Sequence, residues 1–214
     1  DIMNEKWWMG KVAYQIWPKS FADSNDDGHF SSKFDFSPEL CGKNGRWDLN
    51  EDVTAEMYKN VIFDSQLRTG EIGFLSNIIE NHDEPRGVSR YIPVEDLSEQ
   101  INVKKQQAQP DSVWNFYKQM IAVYKNPAYH ETLTFGKFEP YAREQKNLIA
   151  YYRKGETQTL LVLVNFQKEP QRVALPTGEA KVVLDNTTSA LQGISVKGSE
   201  IILDGYQAVV LEVM

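Results

Sequence analysis

The stretch FLSNIIENHDEPRGVSR, residues 74–90, decides how the rest of the chain is interpreted. It begins with an apolar, β-prone run over residues 74–79, which predicts a buried strand. The residues just after the strand carry an amide, an imidazole, a carboxylate and a guanidinium, which belong to Asn81, His82, Asp83 and Arg86. Pro85 ends the regular structure among them. A strand with such groups at its carboxyl end is typical of the edge of an active site in a parallel α/β fold.

The same residues have a plainer interpretation. In this interpretation, Asn81-His82-Asp83 would cap a helix, and His82 would be an ordinary hydrogen-bonded histidine after a buried strand. Taken by itself, the segment slightly favours this interpretation, so the flanking sequence has to decide between the two.

A second motif lies upstream. Apolar and aromatic residues mix at strand spacing over residues 12–17 and are stopped by Pro18, which predicts a strand. Residues 23–28, DSNDDG, then place oxygen-bearing side chains at alternate positions before a glycine, as in a loop that wraps Ca²⁺. An Asx-rich surface turn has the same composition, and the spacing alone favours the turn.

Asn81-His82-Asp83, followed by Pro85-Arg86 on a hydrophobic strand, resembles the fourth signature region of the α-amylase superfamily (glycoside hydrolase family 13), in its oligo-1,6-glucosidase and α-glucosidase branch. Residues 7–28 and the carboxyl-terminal half are similar to the same enzymes and keep the parental order. The resemblance implies an α/β plus all-β chain. In it, a partial (β/α)8 (TIM) barrel is followed by a carboxyl-terminal antiparallel β-sandwich domain.

The resemblance covers three consecutive pieces of the chain, and two large internal segments of the family are absent between them. Residues 1–28 resemble the first barrel strand and its calcium loop, residues 29–93 the sixth and seventh strands, and residues 94–129 the final helix with the segment before it. Residues 1–129 are therefore expected to form the partial catalytic barrel, and residues 130–214 the sandwich domain. Strands one, six and seven cannot close a barrel by themselves.

The resemblance also implies roles for individual residues. Asp83 matches the third carboxylate of the family, which holds sugar hydroxyls and stabilises the transition state, while His82, Arg86 and Tyr14 match substrate contacts. The implied ligands of a structural Ca²⁺ are the side chains of Asp23, Asn25 and Asp27 and the carbonyl of His29. Ser31 stands where the family commonly has a further Asp.

The two reacting carboxyl groups of a retaining glycosidase are not found in this sequence. Retaining hydrolysis needs a nucleophile and a general acid about 5 Å apart, and the family carries them on its fourth and fifth strands. No segment matches the Gly-Phe-Arg-x-Asp pattern of the family. For the full-length parent, the resemblance implies a retaining α-glucosidase of the oligo-1,6-glucosidase type that hydrolyses short α-glucosides. The chain alone is expected to be inactive.

Two other functions stay open. One is a non-catalytic carbohydrate-binding or interaction remnant, and the other is a sucrose or trehalose isomerase-type relative. The residues that separate isomerases from hydrolases, and α-1,6 from α-1,4 preference, belong to the absent strands of the family. The oligomeric state is also left open.

Periodicity places the remaining elements. Residues 50–67 predict a helix on the outside of the barrel. Residues 113–125, capped by Asp111 or Ser112, predict a core helix with an aromatic stripe. Short runs separated by Gly, Pro, Asn and Asp predict the strands of a sandwich over residues 137–141, 148–153, 159–165, 171–174, 181–184, 193–196, 200–203 and 208–213.

Composition limits the partners. The 214 residues carry a formal net charge of -7, which argues against a nucleic-acid partner and leaves an oligosaccharide substrate open. No apolar run is long enough for a membrane span, and the first residues lack the apolar core of a signal peptide. With one cysteine, Cys41, the composition favours a cytoplasmic enzyme. We interpret Cys41 as a turn or packing residue, because no basic cluster lies near it.

Overall fold

The structure is a computed structural model that describes residues 32–42, 53–69, 74–77, 103–176, 178–187 and 195–213. The predicted sandwich domain is almost completely described, whereas the predicted barrel is described only in part.

The first described part of the predicted barrel is a strand–helix–strand unit. Strand β1 (Ser32–Asp35) is followed by a single helical turn, α1 (Ser37–Leu40), by helix α2 (Ala55–Thr69) and by strand β2 (Phe74–Asn77). The two strands pair in parallel, with Ser32 opposite Phe74 and Asp35 opposite Asn77. Parallel neighbours require a crossover connection such as the one that contains α2. The strands expected to be neighbours are therefore paired, while the barrel itself stays a prediction.

Three helices precede the sandwich: α3 (Val103–Ala108), α4 (Val113–Lys125) and α5 (Pro127–Phe135). Ser112, and not Asp111, caps α4, since its Oγ accepts a hydrogen bond from the Asn115 amide. Asn126 ends α4 and also caps α5, because its Oδ1 accepts from the Ala128 amide at 3.0 Å. Proline at the first position of α5 lacks the N–H that would otherwise be unpaired there.

Eight strands form the carboxyl-terminal part. They are β3 (Lys137–Pro140), β4 (Leu148–Lys154), β5 (Thr159–Asn165), β6 (Gln171–Ala174), β7 (Glu179–Asp185), β8 (Ser195–Lys197), β9 (Glu200–Leu203) and β10 (Ala208–Val213). Six of them form an antiparallel sheet in the order β3-β4-β5-β10-β7-β8, and β6 pairs with β9 in a second, two-stranded sheet. The prediction of an antiparallel carboxyl-terminal β domain is confirmed.

The main core lies between the two sheets. Leu161 and Leu163 of β5 and Leu211 of β10 are fully buried there, and they meet Val173 of β6 and Leu203 of β9 from the facing sheet. Burying aliphatic side chains of this size stabilises a fold by roughly 1.5–3 kcal/mol each.

Helix α5 covers the opposite face of the large sheet. Its Tyr129 packs against Leu160 and Val183, whose side chains point away from the main core. Gly155 permits the close approach of this helix, because a Cβ at that position would lie 2.3 Å from Thr132 Oγ1. The carboxyl-terminal part therefore has three layers: a helix, a six-stranded sheet and a two-stranded sheet.

The expectation that α4 is a core helix is wrong for the described residues. None of its residues is buried, and its apolar stripe is exposed to solvent, with Tyr117 59% and Ile121 50% accessible. The hydrophobic period identifies an apolar face, but whether a partner covers that face depends on the rest of the fold.

Candidate functional site

All the side chains predicted to form the active site and the calcium site lie outside the described residues. These are Tyr14, Asp23, Asn25, Asp27, His29, His82, Asp83 and Arg86. The structure describes instead the strands that precede the Asn-His-Asp motif and the surface that supports them.

The carboxyl ends of β1 and β2 lie side by side. Asp35 is aligned with Asn77, and Asp83 follows Asn77 by six positions in the sequence. Active sites of parallel α/β barrels are assembled at this edge. We therefore expect the predicted site residues that follow β2 in the sequence to lie at this edge.

The Asp35 carboxylate has a structural role at this edge. Its Oδ1 accepts from the Ser37 amide at 3.0 Å, and its Oδ2 accepts from Ser65 Oγ of α2 at 2.5 Å. Both oxygens are engaged within the protein, so Asp35 ties β1 to the start of α1 and to α2.

Helix α2 is joined to the β domain by a buried lysine. Lys59 is 1% exposed, and its Nζ donates to the carbonyls of Arg143 at 2.8 Å and Gln145 at 2.6 Å. Both carbonyls belong to residues 141–147, between β3 and β4, which we call the docking turn. Burial lowers the pKa of Lys59 from its ordinary value, and nearby Glu56 opposes that effect.

The docking turn also reaches back to α2. Arg143 Nη2 donates to Asp64 Oδ1 at 2.9 Å, and the guanidinium stands 5.9 Å from the ring centre of Phe63. Phe63 is fully buried and meets Phe138 of β3 edge to face, with ring centres 5.6 Å apart. Lys59 and Phe63 are one helical turn apart, so one face of α2 is committed to the β domain.

A shallow groove of about 420 Å³ lies beside α3 and α4. It is lined by Gln107, Ala108, Pro110, Asn115, Lys118, Gln119 and Ala122. Lys118 carries the only charge among these side chains, and the Asn115 amide already donates to the Gln106 and Gln109 carbonyls. A groove without a carboxylate cannot perform a two-carboxylate hydrolysis, so it is not a candidate active site.

The structure confirms the prediction that Cys41 is a packing residue. It is 6% exposed, and burial raises the pKa of its thiol. A protonated, buried thiol is a poor nucleophile.

The described ranges contain neither a cluster of metal ligands nor a helix that could span a membrane. No group of three or more His, Cys, Asp or Glu side chains in these ranges could hold a metal ion. None of the described helices combines the length and apolar character that crossing a bilayer requires.

No pattern in the sequence indicates the docking contacts. A lysine on a helix ordinarily points to solvent, and the two carbonyls that receive Lys59 come from residues more than 80 positions downstream. Only the tertiary fold brings these groups together.

Comparison with known proteins gives three kinds of similarity. A family profile described as "Alpha-amylase SusG C-terminal domain" matches residues 148–210, which include strands β4 to β9 and part of β10. The chain is 39% identical over 69 residues to the probable oligo-1,6-glucosidase 2 of Bacillus subtilis, a match that covers 32% of this chain and 12% of that protein. It is 49% identical over 43 residues to the glucan 1,6-alpha-glucosidase of Streptococcus pneumoniae, covering 18% and 8%.

Solved structures share the fold over most of the chain. The isomaltulose synthase of Klebsiella sp. LX3 aligns with a TM-score of 0.68 and 18% identity, covering 85% of this chain and 50% of that one. The trehalulose synthase of Pseudomonas mesoacidophila MX-45 gives 0.68 and 16%, covering 84% and 50%. The chain thus spans about half the length of these solved relatives, and its matches cover a smaller share of the curated ones.

Proposed function

We propose that this chain, which belongs to the α-amylase family, is part of a retaining α-glucosidase of the oligo-1,6-glucosidase type that hydrolyses short α-glucosides. The observation that carries the proposal is the parallel β1–β2 pair, because Asn81-His82-Asp83 follows β2 in the sequence. Curated relatives named oligo-1,6-glucosidase support the choice of this branch.

Asp83 would act on the sugar that is being cleaved. Its carboxylate would accept hydrogen bonds from sugar hydroxyls and stabilise the positive charge of an oxocarbenium-like transition state. His82 and Arg86 would donate to the same sugar, and Tyr14 would form a wall of the cleft. The nucleophile and the general acid would come from the family segments that this chain lacks.

A structural Ca²⁺ would be held by the side chains of Asp23, Asn25 and Asp27 and by the carbonyl of His29. This donor set fits the ion, because Ca²⁺ prefers carboxylate, amide and carbonyl oxygens. Ser31 adds no carboxylate, so we expect weaker binding than in relatives with an Asp there.

Hydrolysis of isomaltose tests the proposal. The purified chain, of 24.6 kDa, is expected to release no glucose. A longer protein that contains the absent barrel segments is expected to hydrolyse isomaltose, and Asp83→Asn is expected to lower its kcat about 10²–10³-fold, because a group that stabilises the transition state is lost.

Glu84→Gln is the matched control, since it neutralises the adjacent carboxylate, to which no role is assigned. We expect its kcat to stay within about twofold of the unaltered enzyme. Turnover by the 24.6 kDa chain, or full activity after Asp83→Asn, would refute the proposal. Saccharide binding without turnover in the longer protein would favour a carbohydrate-binding remnant.

A second candidate function is sucrose isomerisation. The solved structures that share the fold include isomaltulose and trehalulose synthases. Incubation of the longer protein with sucrose separates the two functions, because a hydrolase releases glucose and fructose while an isomerase returns a rearranged disaccharide.

A further inference from the structure

Helix α2 contacts two different parts of the molecule. Lys59 and Phe63 face the β domain, whereas Ser65 donates to Asp35 at the carboxyl end of β1. Positions 59 and 65 are six residues apart, which places them about 120° from each other around the helix axis. A helix that is held by hydrogen bonds at both positions transmits a displacement at Lys59 to Ser65 and so to Asp35.

The contact of α2 with the docking turn consists of directional hydrogen bonds as well as apolar packing. A lysine ammonium that is removed from water needs hydrogen-bond acceptors nearby, and Lys59 finds two carbonyl oxygens, at 2.8 and 2.6 Å. Arg143 of the same turn makes a second bond to α2, by donating to Asp64. The position of α2 relative to the β domain is therefore set by hydrogen bonds, and not by apolar contact alone.

We propose that Lys59 is a positioning residue, through which the docking turn of the β domain fixes the place of the β1–β2 carboxyl edge. The inference rests on the proposed function and deepens it, because this edge is where the Asn-His-Asp motif follows in sequence. The β domain thereby acts on the reaction without contacting the substrate.

The first test uses the 214-residue chain. Lys59→Met keeps the length of the side chain and removes its donors. Lys146→Met is the matched control on the same turn, because the Lys146 side chain is exposed and its Nζ lies 3.8 Å from Glu56. We expect the backbone amide resonances of Asp35 and Asn77 to move in Lys59→Met and to stay in place in Lys146→Met.

Lower stability with unmoved Asp35 and Asn77 resonances would overturn the inference, since Lys59 would then support the fold without positioning the edge. If Lys59→Met does not fold, Arg143→Met gives the same readout. Its half-exposed side chain ties the turn to Asp64, and unmoved resonances in that variant would also overturn the inference.

The second test uses the active longer protein. Lys59→Met is expected to lower kcat about tenfold with KM changed less than about twofold, because misplacing a transition-state contact affects the chemical step. It is expected to cause no further loss on the Asp83→Asn background. If Asp83→Asn itself is harmless, the proposed function fails. If Asp83→Asn is damaging but Lys59→Met equals Lys146→Met, only this inference fails.

Discussion

Tyr152 shows at the residue scale how burial controls ionisation in the β domain. Its ring lies in the main core, edge to face with Tyr141 at 5.1 Å, and Lys154 Nζ stands 5.0 Å from the ring centre. Burial, with contributions from Tyr141 and Glu139, raises the pKa of the Tyr152 phenol to about 12. The folded protein therefore keeps the proton of Tyr152 at a pH where the unfolded chain has lost it.

We expect the stability that Tyr152 contributes to be complete below about pH 10, the unfolded pKa, and to be lost as the pH rises towards 12. Urea unfolding midpoints at about pH 9 and about pH 11.5, one on each side of the unfolded pKa, measure this loss. Tyr152→Phe has no proton to lose and should show a smaller decline. An equal decline in both proteins would contradict the assignment.

At the element scale, α4 and α5 are adjacent helices with opposite degrees of burial. Tyr117 of α4 is 59% exposed, whereas Tyr129 of α5 is 9% exposed and contacts Leu160 and Val183. The two residues have the same chemistry, so a difference between them measures burial.

We expect Tyr117→Ala to change the free energy of unfolding of the chain by less than about 0.5 kcal/mol. Tyr129→Ala should cost about 3–5 kcal/mol, because it opens a cavity between α5 and the large sheet. Chemical denaturation of both variants gives the comparison. Equal losses would mean that the apolar stripe of α4 is covered in this chain.

The strands and the caps show how far sequence reasoning extends. The bounds of β5, β6, β9 and β10 agree with the sequence prediction, because alternation and turn residues are local signals. Strand β7 begins two residues before its predicted start, at Glu179, where charged residues hide the extended run. The sequence limits the cap of α4 to Asp111 or Ser112, and only the geometry separates the two.

Other features depend on parts of the fold that are distant in sequence. The apolar stripe of α4 is visible in the sequence, but its exposure is not. The burial of Lys59 depends on two carbonyls of the docking turn. The predicted catalytic and calcium residues lie outside the described residues, and their roles stay predictions.

At the scale of the whole molecule, the division between residues 129 and 130 stays a prediction, and these residues lie inside α5. Because Tyr129 and Thr132 of this helix are buried, the helix and the sheet share apolar surface. We expect a fragment over residues 126–213 to unfold cooperatively. A fragment over 137–213 should be less stable by about 2–5 kcal/mol, since Leu160 and Val183 become exposed. Equal urea midpoints would show that α5 is dispensable.

Strand β10 lies at the centre of the large sheet, hydrogen-bonded to β5 on one side and to β7 on the other. It is also the last of the described strands to leave the ribosome. The β3-β4-β5 meander can pair during synthesis, but β7 and β8 cannot join it until residues 208–213 have been translated. The sheet is therefore assembled late, through contacts of high sequence separation, and until then the nascent chain exposes the inner edge of β5 to other strands.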